Sequence, residues 1–530
     1  PQGPDQQGAF ELAKQGLDWL DDLLSRISDA AKTVIVEQNI SLFCLAADLA
    51  LALNQPTQAY RILERSKSRV LIEQMLREVA EPGAQVDEHL RLAYRELRAQ
   101  LRQSVQSLDI ATSETGNGET RFLTPSTPRR DASPEQQAQW WHALERLEQQ
   151  LDSVRRDIAE QDPAFAEAIQ PQPLEDVISL LPANGIAIAF EQRPDFLYLY
   201  TLTAEGVHKP VRIEITRQQL KERIDRFYEG VDSKNRLKRQ RAVNAISEWL
   251  TAHLLPGLLK GEAIPTESEQ GAFEILLIPH QDWHLLPLHL IQMDGEPLGL
   301  RYTVRYTPSL QVLRLIHHRE QTQPGKGCII ANPDGTLAHA QQECQTIKNQ
   351  YRPNDTYLPG QEATLNRVRQ EIEIAKHGHF SCHGYFAPNL QSGLKLADGS
   401  LQAKELFASL RMPNPRLVVL SACETAQVQP TLGDEYMGLS SGFLFAGTHN
   451  VLATQWRVDD ASTRLLMEDF YQGLADGLSA IQALKQAQRQ LREMSGERVK
   501  ARLQSKEPFS SQPYKNAYYW GGFVLIGDGI

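Results

Sequence analysis

From about residue 173 to the end of the chain, short and nearly uninterrupted aliphatic runs alternate with helical patterns. This alternation restricts the fold more than any other feature. The runs include "GIAIAF", "FLYLYTL", "FEILLIP", "KGCIIANP", "HGHFSCHG", "RLVVLSAC", "HNVLATQW" and "GGFVLIGD". A run such as "RLVVL" is apolar on both faces, so both faces must be covered. That predicts a mostly parallel sheet between two layers of helices. With 530 residues the chain is also too long for one core, and several domains are expected.

Residues 1–110 read as helical. "ISLFCLAADLALALN" and "QPTQAYRILERSKSRVLIEQML" form two helices around a turn at Asn54–Pro56, with Ala59, Leu63 and Ser66 on one face. A small residue where paired helices approach closely resembles the second helix of a tetratricopeptide repeat. Leu90, Tyr94, Leu97, Leu101, Val105 and Leu108 form one heptad-like stripe, and Trp140, Leu144, Leu147, Leu151, Val154 and Ile158 another. These predict a long helix over 135–170 packed on 88–109, joined by a Thr/Ser/Gly/Pro-rich linker over 111–134. Ser133 and Pro134 are the expected cap and first position of the second helix. Residues 171–325 and 326–530 then form two successive α/β halves.

Composition narrows the function. A net charge of −11 argues against a general nucleic-acid binder, and "SKNRLKRQR" (Ser233–Arg241) reads as a solvated helix face. No uninterrupted apolar window approaches the roughly 20 residues of a membrane span, and the start of the sequence carries no leader-like pattern. Five cysteines without a C-x-x-C pair argue against a disulfide framework or zinc ribbon, and favour a reducing, cytoplasmic setting. His280, His284 and His289 are split by Pro279 and Pro287, which break any helix that would align them, so no metal site is expected. Nor does any acidic cluster show calcium-ligand spacing.

In parallel sheets, functional groups collect beyond the carboxyl ends of the strands. Two consecutive strands end in His383 followed by Gly384, and in Cys423. The helix in "LQAKELFASLR" between them returns the chain to the same edge. A thiol of ordinary pKa is only a few per cent thiolate at neutral pH and needs a base, which an imidazole supplies before protonating a leaving amine. Gly384 admits close backbone approach, and its N–H with that of Cys423 makes a candidate oxyanion pair. The residues alone leave open a second reading, in which Cys423 fills a core and His383 is structural. Cys382 adjoins His383 but points to the opposite face, and His377 and His379 read as packing groups on the same strand.

"FSCHG", "LVVLSACETAQ", "GDEYMGLSSGFLFAGTHNVLATQWRVDDAST" and "YYWGGFVLIGD" together resemble the CHAT domain, a caspase-like domain found with tetratricopeptide repeats. The resemblance runs from about residue 173 to 530. It implies a caspase-hemoglobinase fold, a His383/Cys423 dyad, no organic cofactor, and a helical N-terminal region that binds a partner or substrate protein. It is also similar to separase, in which an inactive caspase-like half precedes the active one. By that analogy 171–325 is the pseudo-caspase half, and "IPHQDWHLLPL" takes the place of a catalytic strand end without Cys.

Separase-like enzymes carry Trp-Asp-Val-Thr-Asp where this chain has Trp456-Arg457-Val458-Asp459-Asp460. An acidic residue there receives a P1 arginine, which implies Asp460 as the S1 carboxylate beside Trp456 and Asp459. Asp434 in "LGDEYMG" is the second choice, with a helix cap as its other reading. A carboxylate prefers Arg over Lys through paired hydrogen bonds. If P1 is basic, Arg129 and Arg130 in the linker become an expected autoprocessing site. The expected function is a cysteine endopeptidase cleaving after a basic residue. The alternative is a catalytically silent scaffold that recruits proteins through its helices.

Overall fold

A computed structural model describes residues 4–24, 29–79, 82–109, 134–168, 172–182, 184–260, 264–265, 273–319, 325–388, 390–408, 410–429 and 434–529. The linker lies outside these residues for 110–133, and Arg129 and Arg130 with it.

The N-terminal region is all helical: α1 (Pro4–Leu24), α2 (Asp29–Ala52), α3 (Pro56–Glu64), α4 (Arg69–Val79), α5 (Glu88–Asp109) and α6 (Pro134–Gln161). Asn54 turns left-handed (φ 58°) between α2 and α3, and Ala59 and Tyr60 are buried against α2. The single helix expected after this turn is in fact two. Ser68 adopts φ 48°, breaking α3 from α4, because Lys67 and Ser68 leave the helix to bond to the α/β region. The 19-residue stretch Val34–Ala52 of α2, with mean hydropathy 1.6, is long and apolar enough to cross a membrane, contrary to the expectation from the sequence. Scattered Glu37, Gln38 and Asp48 had masked it; in this fold Val36, Phe43, Ala46, Ala47 and Ala50 pack inward.

Helices α5 and α6 pack antiparallel. Tyr94 meets Phe165 edge-on, and the amide of Asp87 reaches Gln161.

The α/β region is built on one sheet of twelve strands. In chain order they are β1 (Gly185–Gln192), β2 (Leu197–Thr203), β3 (Gly206–Val207), β4 (Val211–Ile213), β5 (Glu274–Ile278), β6 (Thr303–Tyr306), β7 (Cys328–Ala331), β8 (Thr356–Pro359), β9 (Gly378–Ser381), β10 (Val418–Ser421), β11 (Asn450–Thr454) and β12 (Phe523–Gly527). Their spatial order is β8-β7-β9-β10-β11-β12-β6-β5-β1-β2-β3, with β4 also on β2. Strands β8, β7, β9, β10 and β11 form one parallel block, and β12, β6, β5 and β1 a second. Because β12 is antiparallel to β11, the two blocks send their carboxyl ends to opposite edges. The C-terminal strand thus fuses the two halves. Helices α7 (Arg217–Val231), α8 (Arg236–Lys260), α9 (Leu310–His317), α10 (Ala338–Thr346), α11 (Leu365–Ile372), α12 (Ala403–Ala408), α13 (Leu439–Ala446), α14 (Asp460–Ala475) and α15 (Ala480–Glu493) cover it. Strands β9, β10 and β11 are buried along their whole lengths, as their aliphatic pattern requires.

Candidate active site

Strands β9 and β10 pair in parallel with Ser381 opposite Ser421. His383 and Cys423 each stand two residues past that pair, so the register places both beyond the same edge of neighbouring strands. The approach is close: a Cβ on Gly384 would lie 2.4 Å from the Cys423 carbonyl oxygen. Only glycine lets the segment after His383 lie against the Cys423 backbone.

The Ser-Ala-Cys-Glu-Thr turn is held from below. Thr454 Oγ1 donates to the Ala422 carbonyl at 2.5 Å, the Thr454 amide donates to Thr425 Oγ1 at 3.0 Å, and Ser440 Oγ donates to the Thr425 carbonyl at 2.7 Å. Glu424 adopts φ 60°, which swings the chain away directly after the sulfur. Cys423 itself is half-buried. Burial pushes its thiol up, opposed by the Val458 N–H and the Arg457 guanidinium.

His383 has 34% side-chain exposure. Its Nε2 lies 2.7 Å from Thr336 Oγ1 and 3.7 Å from Asp334 Oδ2, both in the loop after β7. Cys382 is buried, and that burial pushes its thiol up. His379 is enclosed, its two nitrogens meeting Glu343 and the Tyr471 hydroxyl, and His377 also reaches Tyr471. Among the described residues Glu343, Cys344 and His379 bring metal-ligating atoms within 4.8 Å of one another, deep in the core.

The S1 candidates are each engaged by a different partner. Trp456 is fully buried, donating from Nε1 to the Tyr518 carbonyl, and it walls the core rather than a cleft. Asp459 caps α14 by accepting from the Ser462 amide. Asp460 is half-buried, and its Oδ2 accepts from the His339 amide at 3.0 Å. Asp434 is 2% exposed and engaged: it accepts from Lys67 Nζ at 3.0 Å and from the Gln281 amide at 2.5 Å. With Lys67 seated on it, this carboxylate receives no outside guanidinium.

The chain matches the CHAT domain over residues 240–528. It belongs to the CHAT domain family. It is 33% identical over 115 residues to Tetratricopeptide repeat protein 28 of Mus musculus and 32% identical over 115 residues to that of Homo sapiens. The matched stretch is 22% of this chain and spans 4% of the length of those relatives. Among solved structures it is similar to the Saccharomyces cerevisiae separase–securin complex, with a TM-score of 0.46 and 12% identity, covering 94% of this chain and 44% of that one. The Arg specific cysteine proteinase gingipain R gives a TM-score of 0.35 and 10% identity, covering 54% of this chain and 67% of that one. The fold of this CHAT protein is the expected caspase-like one, a mostly parallel sheet under helices with an all-α N-terminal region.

Three groups escaped sequence reasoning: Asp334 and Thr336 beside His383, and Lys67 on Asp434. The first two were within reach, since "KGCIIANP" continues into Asp334-Gly335-Thr336 and β7 ends on the same edge as β9 and β10. Lys67 carried no local signal, because its partner is remote in sequence.

Proposed function

We propose that this CHAT protein is a cysteine endopeptidase. One observation carries the reading: a half-buried thiol and a partly exposed imidazole stand at equal offsets past two paired strand ends, with Gly384 packed against the Cys423 carbonyl. Cys423 Sγ attacks the scissile carbonyl as His383 takes its proton. The same imidazole then protonates the leaving amine, and the Gly384 and Cys423 amides receive the oxyanion. Water releases the acyl group in the second half of the cycle. We infer cleavage after a basic residue, with Asp460 held in place by the His339 amide as the receptor. The helical region binds partner or substrate protein, the compartment is the reducing cytoplasm, and Arg129–Arg130 is an autoprocessing site.

A panel of fluorogenic peptides tests this. Turnover after Arg is expected, abolished in Cys423→Ala and with KM raised at least tenfold in Asp460→Asn. Intact mass of the same incubation should show scission near Arg130. Turnover only after Asp or an apolar residue sinks the basic preference.

The scaffold reading has its own support, since burial raises the Cys423 thiol and Arg457 stands where separase-like enzymes have Asp. It is favoured if no peptide is turned over and Cys423 reacts no faster than Cys44, the other cysteine that is not fully buried.

A further inference from the structure

The loop after β7 holds a short polar chain that ends on His383. The Thr336 amide donates to Asp334 Oδ1 at 3.1 Å, and Thr336 Oγ1 lies 2.7 Å from that same oxygen and 2.7 Å from His383 Nε2. A hydroxyl has one proton to give. Partial burial pushes the Asp334 carboxyl up, but the Thr336 hydroxyl and amide and the His383 charge together hold it below its ordinary value. An ionised carboxylate 2.7 Å from an oxygen must accept, so the hydroxyl proton goes to Asp334. Thr336 Oγ1 can then only accept from the ring, which places the imidazole proton on Nε2. The lone pair is left on Nδ1.

The loop is fixed for this task. The Asn332 amide donates to the Ser381 carbonyl at 2.8 Å, Asn332 Oδ1 accepts from the Leu337 amide at 3.0 Å, and Gly335 turns at φ 73°. These bonds tie the Asp334–Thr336 turn to the end of the strand that carries His383.

We propose that Thr336 and Asp334 are positioning residues for His383: Thr336 fixes the tautomer with Nδ1 as the base, and Asp334 stabilises the imidazolium across 3.7 Å. The inference rests on the peptidase reading for its purpose but not for its geometry. Other charged groups surround the couple. Lys395 lies on the Asp334 side, and Arg457, Glu424 and Asp232 on the sulfur side. Each stays constant across the variants that test the proposal.

The full chain, labelled with 15N-histidine and compared with His383→Gln for assignment, reports the tautomer directly. The expected result is Nε2–H in the wild type and in Thr336→Ser, and a mixture in Thr336→Val. Alkylation of Cys423 by iodoacetamide across pH is the second reading. Thr336→Val should slow it about tenfold at neutral pH, Thr336→Ser should regain most of that loss, and Asp334→Asn, which removes the charge that favours the imidazolium, should move the rise in rate about one pH unit lower. Nδ1–H in the wild type overturns the proposal, as does a Thr336→Val protein identical to the wild type in both readings. Alkylation that does not depend on His383 instead sinks the peptidase reading, and the tautomer then decides the positioning claim alone.

Discussion

The two halves of the sheet repeat one design and fill it differently. In the C-terminal half, β7, β9 and β10 lie side by side in parallel; in the N-terminal half, β1, β5 and β6 do. His383 stands two residues past β9, and His280 stands two residues past β5. Two residues past β10 is Cys423, whereas two residues past β6 is the buried Pro308. The N-terminal half therefore has an imidazole at the same offset and a proline where the other half has Cys423. His280 is buried, its Nδ1 accepts from the Gln192 amide at 3.1 Å, and burial lowers its pKa to about 3. Its other nitrogen faces Asp434, which Lys67 holds. One strand end is left accessible, with Thr336 and Asp334 beside its ring. The other is plugged by the chain itself and holds a ring that stays neutral.

The strongest way to break this comparison is to exchange the losses. His383→Ala should cut Cys423 alkylation at neutral pH by about a hundredfold or more while moving the thermal midpoint little. His280→Ala should leave the alkylation rate near that of the wild type but cost about 2–4 kcal/mol, because it opens a cavity and strands the Gln192 amide. Urea unfolding and the alkylation rate, measured on both variants, check the pair. If His280→Ala slows alkylation as much as His383→Ala, the halves are not separate in role.

The plug gives the next effect. Lys67 Nζ donates to the Pro279 carbonyl at 3.1 Å and to Asp434 Oδ2 at 3.0 Å, with both side chains almost fully enclosed. Burial alone would raise the Asp434 carboxyl. Lys67, His280 and His284 reverse this and hold it well below the usual range. Lys67→Met leaves that charge buried without its partner, so a loss of about 3–5 kcal/mol is expected. Adding Asp434→Asn should recover part of it. A Lys67→Met protein as stable as the wild type in urea would show that the pair contributes nothing and that the second strand end is not closed by it.

Much of the sheet was legible because strand burial writes itself into composition: β10 and β12 are aliphatic on both faces. The placement of His383 and Cys423 beyond one edge was legible too, since parallel strands separated by one helix must end on one edge. What escaped has a common cause. The break between α3 and α4 depends on Lys67 meeting Asp434, and neither residue shows this locally, so the segment reads as one helix. Trp456 lies at the end of a strand next to a polar loop and reads as a pocket wall, yet its indole finds a carbonyl inside the core. Thr336 reads as an ordinary turn residue until the imidazole is placed beside it.

The smallest predicted effect concerns the residue beside Asp434 and works in the opposite direction. Glu435 accepts from the Val70 amide at 2.9 Å. Burial raises its pKa to about 8, the Val70 and Leu71 amides counter this in part, and the neighbouring Asp434 charge adds to it. The native state therefore keeps a proton on Glu435 between its unfolded pKa near 4.3 and about 8, where the unfolded chain has lost it. In that window the native state binds more protons, so stability falls as pH rises, by at most about 1.4 kcal/mol per pH unit. Glu435→Gln keeps an oxygen for the Val70 amide and removes the titration. Its unfolding free energy should be flatter than that of the wild type from pH 5 to 8, and higher at pH 8 and above. Cys423 alkylation, which reads the other strand end, should show the same pH profile in both proteins. If that profile moves with the stability curve, the plug and the open edge are one coupled unit, and the contrast between the two halves is a difference of degree.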